Sequence, residues 1–194
     1  MKYFIVGLHS NNKYNVIDYL EKLGVKCGHL FSDLSTPNSK IYNSYNYELY
    51  TAQEVNEIFE NNAYIFLHTR NVDNKQFYEG LSKYEFDNND VFVLSPDQVL
   101  DISFNSIKEP ICFIWLDGTR EHRYNTYRDE HREYNFKERE DLESRDSSTF
   151  INTLYDGSHK LLYFKEEVPE RVGAIIYTLV HYPELLDLYT LTFN

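Results

Sequence analysis

Apolar positions in this chain fall alternately into short unbroken runs and into stripes with helical spacing. Lys2 to Leu8 is a short apolar run closing at Gly7, as a buried strand does on entering a turn. His9 to Asn12 is polar. Lys13 to Leu23 carries Val16, Ile17, Tyr19, Leu20 and Leu23 at helical spacing, and Gly24 follows as a stop signal. Val25 to Phe31 reads as a second strand. The opening is therefore strand, polar loop, helix, strand: a βαβ unit with a loop at the helix head.

Ser32 to Tyr50 is rich in Ser, Asn and Tyr and reads as a loop-dominated excursion. Thr51-Ala-Gln-Glu54 is a capping box, with Val55, Ile58 and Phe59 on one helical face behind it and Asn61-Asn62 at its end. Ala63 to Leu67 is a strand candidate, Lys75 to Tyr84 a helix or turn, and Val91 to Leu94 a buried strand. Ile111 to Leu116 is apolar throughout, as expected of a parallel strand covered on both faces. Leu161 to Phe164 is the last strand. Pro169 opens a helix where proline is tolerated, and Pro183 a short terminal one. Alternating strands and helices predict an α/β fold built on a parallel central sheet.

The 194 residues suffice for one domain with a substantial core, and 42% hydrophobic with 26% charged residues is a globular balance. Nineteen Lys and Arg stand against 31 Asp and Glu, a net charge of −12. That acidity excludes a general nucleic-acid coat but leaves room for a local basic pocket for phosphates. No segment has the apolar length of a membrane span. Tyr3 to Leu8 is too short for a signal-peptide core and no small-residue cleavage site follows it. The expectation is a cytoplasmic protein, in the host cytoplasm if a phage encodes it, since the heavy use of Asn, Tyr and Ile fits an AT-rich genome. Cys27 and Cys112 have no metal-ligand spacing and read as two ordinary buried thiols. His122 and His131 read as surface residues, so no metal ligands are assigned. The 18 tyrosines offer surface for a homodimer or a protein partner, and nothing demands either.

Gly7-Leu-His9-Ser10-Asn11-Asn12-Lys13-Tyr14 has the frame of a phosphate-binding loop, Gly-x4-Gly-Lys-Ser/Thr, in the right strand–loop–helix context. Such a loop needs a glycine for the turn, a lysine for the β- and γ-phosphates, and free N–H groups at the helix head. Two positions depart. Asn12 replaces a glycine, and Asn tolerates left-handed backbone angles. Tyr14 replaces the short hydroxyl that binds Mg²⁺. Two readings stand here: a phosphate loop, and a polar turn whose lysine is solvated.

Thr119 to Asp146 is almost entirely charged, polar or Tyr, and holds Arg120, Arg123, Arg128, Arg132, Arg139 and Arg145 among acids. Arg128 and Arg132 share a face if helical. Converging arginines clamp phosphates bidentately. A solvated pair of helices laced with ion pairs is the alternative.

Taken in order, these features resemble the guanylate kinase family of P-loop nucleoside monophosphate kinases, over most of the chain. Gly7 to Lys13 matches the phosphate loop. Ser35-Thr36-Pro37 is similar to the Ser/Thr-rich turn that opens the monophosphate-binding subdomain. Tyr47-Glu-Leu-Tyr-Thr51 resembles the Tyr-x-Phe-x-Ser/Thr step into a helix, and Phe77-Tyr78-Glu-Gly80 the Asn-Tyr-Tyr-Gly element near the nucleotide. The resemblance implies a five-stranded parallel core (1–34, 88–118 and 150–194), a monophosphate-binding subdomain (35–87) and an Arg-bearing helical lid (119–149). It implies transfer of the γ-phosphoryl of ATP, with Mg²⁺, to GMP or dGMP. Gly7, His9, Ser10, Asn11, Asn12, Lys13 and Tyr14 would bind the nucleotide, with Lys13 on the transferring phosphoryl. Arg128, Arg132, Arg139 and Arg145 would clamp phosphates. Ser35, Lys40, Tyr47, Tyr78 and Asp97 would hold the acceptor.

Departures accompany the resemblance. Asn38 stands where the family holds the acceptor phosphate with arginine, leaving Lys40 as the nearest cation. Phe66 stands where an acid reads guanine. Leu94-Ser-Pro-Asp97-Gln98 keeps only Asp97 of an Asp-x-Asp pattern. With Tyr14, these define an alternative: a catalytically inactive homologue that binds nucleotide or protein.

Overall fold

The computed structural model describes residues 1–8, 13–33, 47–72, 75–121, 123–125, 136–154, 159–165 and 168–190. Its centre is a strand, β1 (Lys2–Gly7), buried along its whole length. Successive side chains point to opposite faces of a sheet, so Tyr3 and Ile5 face one side and Phe4 and Val6 the other. β1 is flanked in parallel by β6 (Val91–Leu94) and β7 (Ile111–Asp117), and β8 (Lys160–Lys165) follows β7, giving the order β6-β1-β7-β8. All three pairings are parallel, with Phe4 opposite Phe92 and Phe113.

One face of this sheet is covered by α1 (Lys13–Lys22), α6 (Pro169–His181) and α7 (Leu186–Thr190), through Val16, Ile17, Leu20, Val172, Ile176 and Leu186. The predicted stop after α1 holds: Gly24 has φ 81°, in the left-handed region that glycine enters without cost. The other face carries aromatic rings. Phe4 meets Phe92 and Phe113 edge-on at 5.6 Å each, and Phe113 meets Phe150 of α5 (Phe136–Leu154) at 5.6 Å. This face also packs α4 (Pro96–Leu100) through Val99.

A second sheet, ordered β3-β2-β5-β4, is built from β2 (Leu30–Ser32), β3 (Tyr47–Leu49), β4 (Tyr64–Val72) and β5 (Lys75–Ser82). β2 and β3 are parallel; β5 is antiparallel to both β2 and β4. Its Leu30, Phe66 and Leu81 join the aromatic cluster around Phe4. Gly80 is required here, because a Cβ would lie 2.5 Å from the Phe66 carbonyl oxygen, which is backbone and cannot yield. The helix α2 (Ala52–Glu60) connects β3 to β4. The predicted capping box is formed: Glu54 N–H donates to Thr51 Oγ1 at 3.2 Å and Thr51 N–H to Glu54 Oε2 at 2.7 Å.

Three expectations are corrected. Lys75 to Tyr84 is not a helix or turn; Lys75–Ser82 is a strand, and α3 (Lys83–Asn88) starts only at Lys83. The ladder to β4, from Tyr64↔Ser82 to Val72↔Lys75, outweighs local preference. Val25 to Phe31 is not one strand. Cys27 makes a lone parallel bridge to Val91 at the edge of the first sheet, and the chain joins the second sheet from Leu30. The parallel sheet therefore has four strands rather than five, the fifth being reduced to that bridge. Among the described residues, no helix is long and apolar enough to cross a membrane.

Two outcomes follow from this packing. Phe113→Ala removes a ring at the centre of the aromatic face and is expected to cost about 3–5 kcal/mol in urea unfolding. Burial pushes the Cys27 and Cys112 thiols up to about 12. An unfolded chain ionises its thiols near ~8.5, so their contribution is intact below that pH and is lost as pH rises towards the folded value. Both thiols should resist a thiol reagent at about pH 8 until urea unfolds the chain.

Candidate functional site at the carboxyl edge of the parallel sheet

β1 and β6 are neighbours, yet α1 and α4 pack on opposite faces of the sheet. The connections leaving their carboxyl ends therefore diverge between the two strands. In open parallel sheets the crevice outside such a switch point is where ligands bind, which makes this the candidate site. One wall is the end of β1 with the head of α1. Lys13 opens α1 and is only 7% exposed; its Nζ donates to the carbonyls of Gly7 and, at 3.2 Å, Leu8. The ammonium is thus folded over the end of the strand. His9, Ser10, Asn11 and Asn12 lie outside the described residues. Tyr14 packs at the margin of the α1–α6 cluster.

The other wall is the head of α4, where Pro96 occupies the first turn. Gln98 is 2% exposed. Its Oε1 accepts from Ser95 N–H at 2.9 Å, and its Nε2 donates to Tyr47 Oη at 2.9 Å and to Glu79 Oε1 at 2.7 Å. Tyr47 lies on β3 and Glu79 on β5, so one amide ties two strands of the second sheet to the crevice. Asp97, half-buried, lies 3.6 Å from His68 Nε2, while His68 Nδ1 bonds Asp101. His68 of β4 thus sits between two carboxylates of α4 and its end. Tyr78 N–H donates to Asp33 Oδ1 at 2.7 Å, and Asp33 N–H returns to the Tyr78 carbonyl at 3.1 Å.

Of the acceptor-side residues named from sequence, Tyr47 and Asp97 are brought to α4, Tyr78 is half-buried on β5, and Ser35 and Lys40 lie outside the described residues. Of the four arginines, Arg128 and Arg132 lie outside them, the Arg139 side chain is not described, and Arg145 is exposed on α5. The arginines placed just after β7 are Arg120 and Arg123. Arg120 Nε donates to both Glu140 oxygens at 2.8 and 3.0 Å, and Arg123 Nη2 lies 3.6 Å from the same carboxylate. The Arg120 hydrogen bond holds the Glu140 carboxyl below its ordinary range. Sequence reasoning overlooked Glu79, a carboxylate 1% exposed, and the bridging part played by Gln98. Glu79 was signalled only as an acid inside a strongly aromatic run.

At the end of β7, Asp117 accepts from Tyr163, whose hydroxyl is pushed up to about 12 by burial and by that carboxylate. Among the described residues no group of three or more His, Cys, Asp or Glu could hold a metal ion.

In overall fold the chain is similar to a guanylate kinase from Anaplasma phagocytophilum. The match covers 94% of this chain and 85% of that one, with a TM-score of 0.54 and 13% identical residues. No family model matches the sequence, and no curated protein does. The likeness is one of fold, a parallel sheet with helices on both faces.

His68→Ala removes the imidazole that lies between Asp97 and Asp101. The loss in urea-measured stability is expected to be at most about 1 kcal/mol, because the contact is partly open to solvent. A loss of several kcal/mol would show that this contact ties the second sheet to α4 more strongly than a surface bridge does.

Proposed function

We propose that the protein binds nucleotides in this crevice and transfers the γ-phosphoryl group of ATP to a nucleoside or deoxynucleoside monophosphate, with GMP or dGMP the leading acceptors. The observation that carries the reading is Lys13, an ammonium held at the carboxyl end of β1 where the crevice opens. The kinase-like fold supports it. Residues 35–87 would form the acceptor subdomain and 119–149 the lid, on a core of 1–34, 88–118 and 150–194.

In this reading Lys13 Nζ exchanges its two carbonyl partners for phosphate oxygens. Charge-assisted bonds to phosphate are the stronger kind, so nucleotide binding draws the side chain off the loop. The acceptor's phosphate oxygen then forms a bond to the γ-phosphorus as the bond to the β–γ bridging oxygen breaks. ADP leaves with the electron pair. Lys13 and the N–H groups heading α1 stabilise charge on the transferring group. Tyr47, Tyr78, Ser35 and Lys40 orient the acceptor, and the arginines 128, 132, 139 and 145 close over the phosphates.

Magnesium fits as a nucleotide-borne ion. Position 14 offers no short hydroxyl, and no described carboxylate cluster forms a cage. Mg²⁺ keeps several waters and needs only one or two protein carboxylates; Asp97 would serve, with Ser10. When bound, it would neutralise phosphate charge.

A second reading has its own support. Lys13 is buried on backbone carbonyls and Tyr14 replaces the metal-binding hydroxyl, as in a homologue that binds nucleotide or protein without turnover. Product analysis with Mg-ATP and a panel of monophosphates separates the two. One diphosphate should form, and Lys13→Ala should lower its rate by about 10²–10³ while the fold persists. Tight binding without any diphosphate would favour the second reading.

A further inference from the structure

We propose that Glu140 is an internal anion that occupies the arginine pair after β7 until a nucleotide's phosphates take its place, and so sets how tightly phosphate binds; this deepens the nucleotide-binding reading above and rests on it. Arg120 and Arg123 follow the end of β7 on one backbone turn, closed by Arg123 N–H donating to the Thr119 carbonyl at 3.0 Å. Glu140 comes from α5. Arg120 Nε donates to both its oxygens, at 2.8 and 3.0 Å, and Arg123 Nη2 lies 3.6 Å from Oε1. One carboxylate thus meets two guanidinium groups, an arrangement that arginines also adopt around phosphate.

The cluster stands beside the crevice. Leu116 pairs with Gly7, whose carbonyl holds Lys13. Arg120 is four residues beyond Leu116, a backbone span of at most about 14 Å, and the long side chain adds reach of its own. α5 also packs against α4, whose head is the other wall.

Burial decides which contact carries weight. The Arg120 side chain is 67% exposed, and an ion pair so open to water contributes little. The Arg123 side chain is 8% exposed and that of Glu140 18%. A guanidinium does not lose its charge, so burying one calls for an anion nearby. Glu140 is such an anion, with a single charge. A terminal phosphate brings up to about two charges and three acceptor oxygens. Phosphate can therefore satisfy the same cations, but only by displacing the carboxylate. The displaced side chain then turns to water, while the far end of α5 stays put: Phe150 is fully buried against Phe113 and Trp115.

Glu140→Gln tests this. The amide keeps the size and one acceptor oxygen for Arg120, and removes the charge that competes with phosphate. Calorimetry with inorganic tripolyphosphate should show binding roughly tenfold tighter than wild type. Adding Arg120→Gln to that variant should weaken it again. Carbon NMR of the Glu140 carboxyl reads the exchange in the unaltered chain. Arg120 holds that carboxyl below its ordinary range; with tripolyphosphate bound, its titration midpoint should rise.

Unchanged binding in Glu140→Gln, or a carboxyl midpoint that stays put at saturation, would overturn the competing anion. Weaker binding in Glu140→Gln would overturn it as well, making Glu140 a brace that readies the arginines for phosphate. In either case, wild-type binding that Lys13→Ala weakens would leave the nucleotide reading standing. If neither wild type nor Glu140→Gln bound tripolyphosphate or Mg-ATP, the nucleotide reading itself would fall, and this inference with it.

Discussion

A strand buried on both faces has to be covered twice, and β1 imposes that demand on the rest of the chain. Tyr3 and Ile5 draw α1 and α6 to one side; Phe4 and Val6 draw the aromatic cluster, α4 and α5 to the other. Because α1 follows β1 and α4 follows β6, neighbouring strands send their chains to opposite faces. The crevice is thus a by-product of core packing. The same burial brings the backbone ends of Gly7 and Leu8 close to Lys13, which finds its partners there.

In the proposed role, an acidic chain would take its anion against its own field. With a net charge of −12, the long-range potential repels a nucleotide, and only nearby, poorly solvated cations outweigh it at short range. Lys13 meets that description. Arg120 does not in the described arrangement, since Glu140 already neutralises it. The second sheet contributes no cation to these contacts: its phenol, Tyr47, and its acid, Glu79, are joined through the Gln98 amide of α4.

Much of the first sheet was legible in local pattern. Lys2–Gly7, Val91–Leu94 and Ile111–Asp117 are apolar runs because both faces are covered, and such runs announce themselves. Thr51 and Pro169 marked their helices by backbone chemistry confined to one turn. β5 was not legible, for two physical reasons. Its stabilising partner is β4, outside its own residues. Its inward face also carries Glu79 beside Leu81, and an inward-facing carboxylate spoils the alternation by which half-buried strands are recognised. The rule fails where Gln98 needs an acid. Lys13 and Tyr47 were named as candidates because each stands in a local sequence pattern. The amide joining Tyr47 to Glu79 was not, since its three members come from positions 47, 79 and 98 and meet only through the fold.

The lone bridge between Cys27 and Val91 has a genealogical consequence. These residues stand at the departure to and the return from the second sheet, and they are paired with each other. To the parallel sheet, residues 28–90 are a closed loop whose ends already touch. Lengthening such a loop is cheap, about 0.6 kcal/mol for each doubling. The segment can therefore gain or lose turns over generations while the strands beneath it keep their register. Its apolar feet, Leu30, Phe66, Leu81 and Phe86, are bound to stay, because they pack in the cluster that holds Phe4 and Phe92. A lineage could thus redesign what the crevice admits without renegotiating how the protein folds.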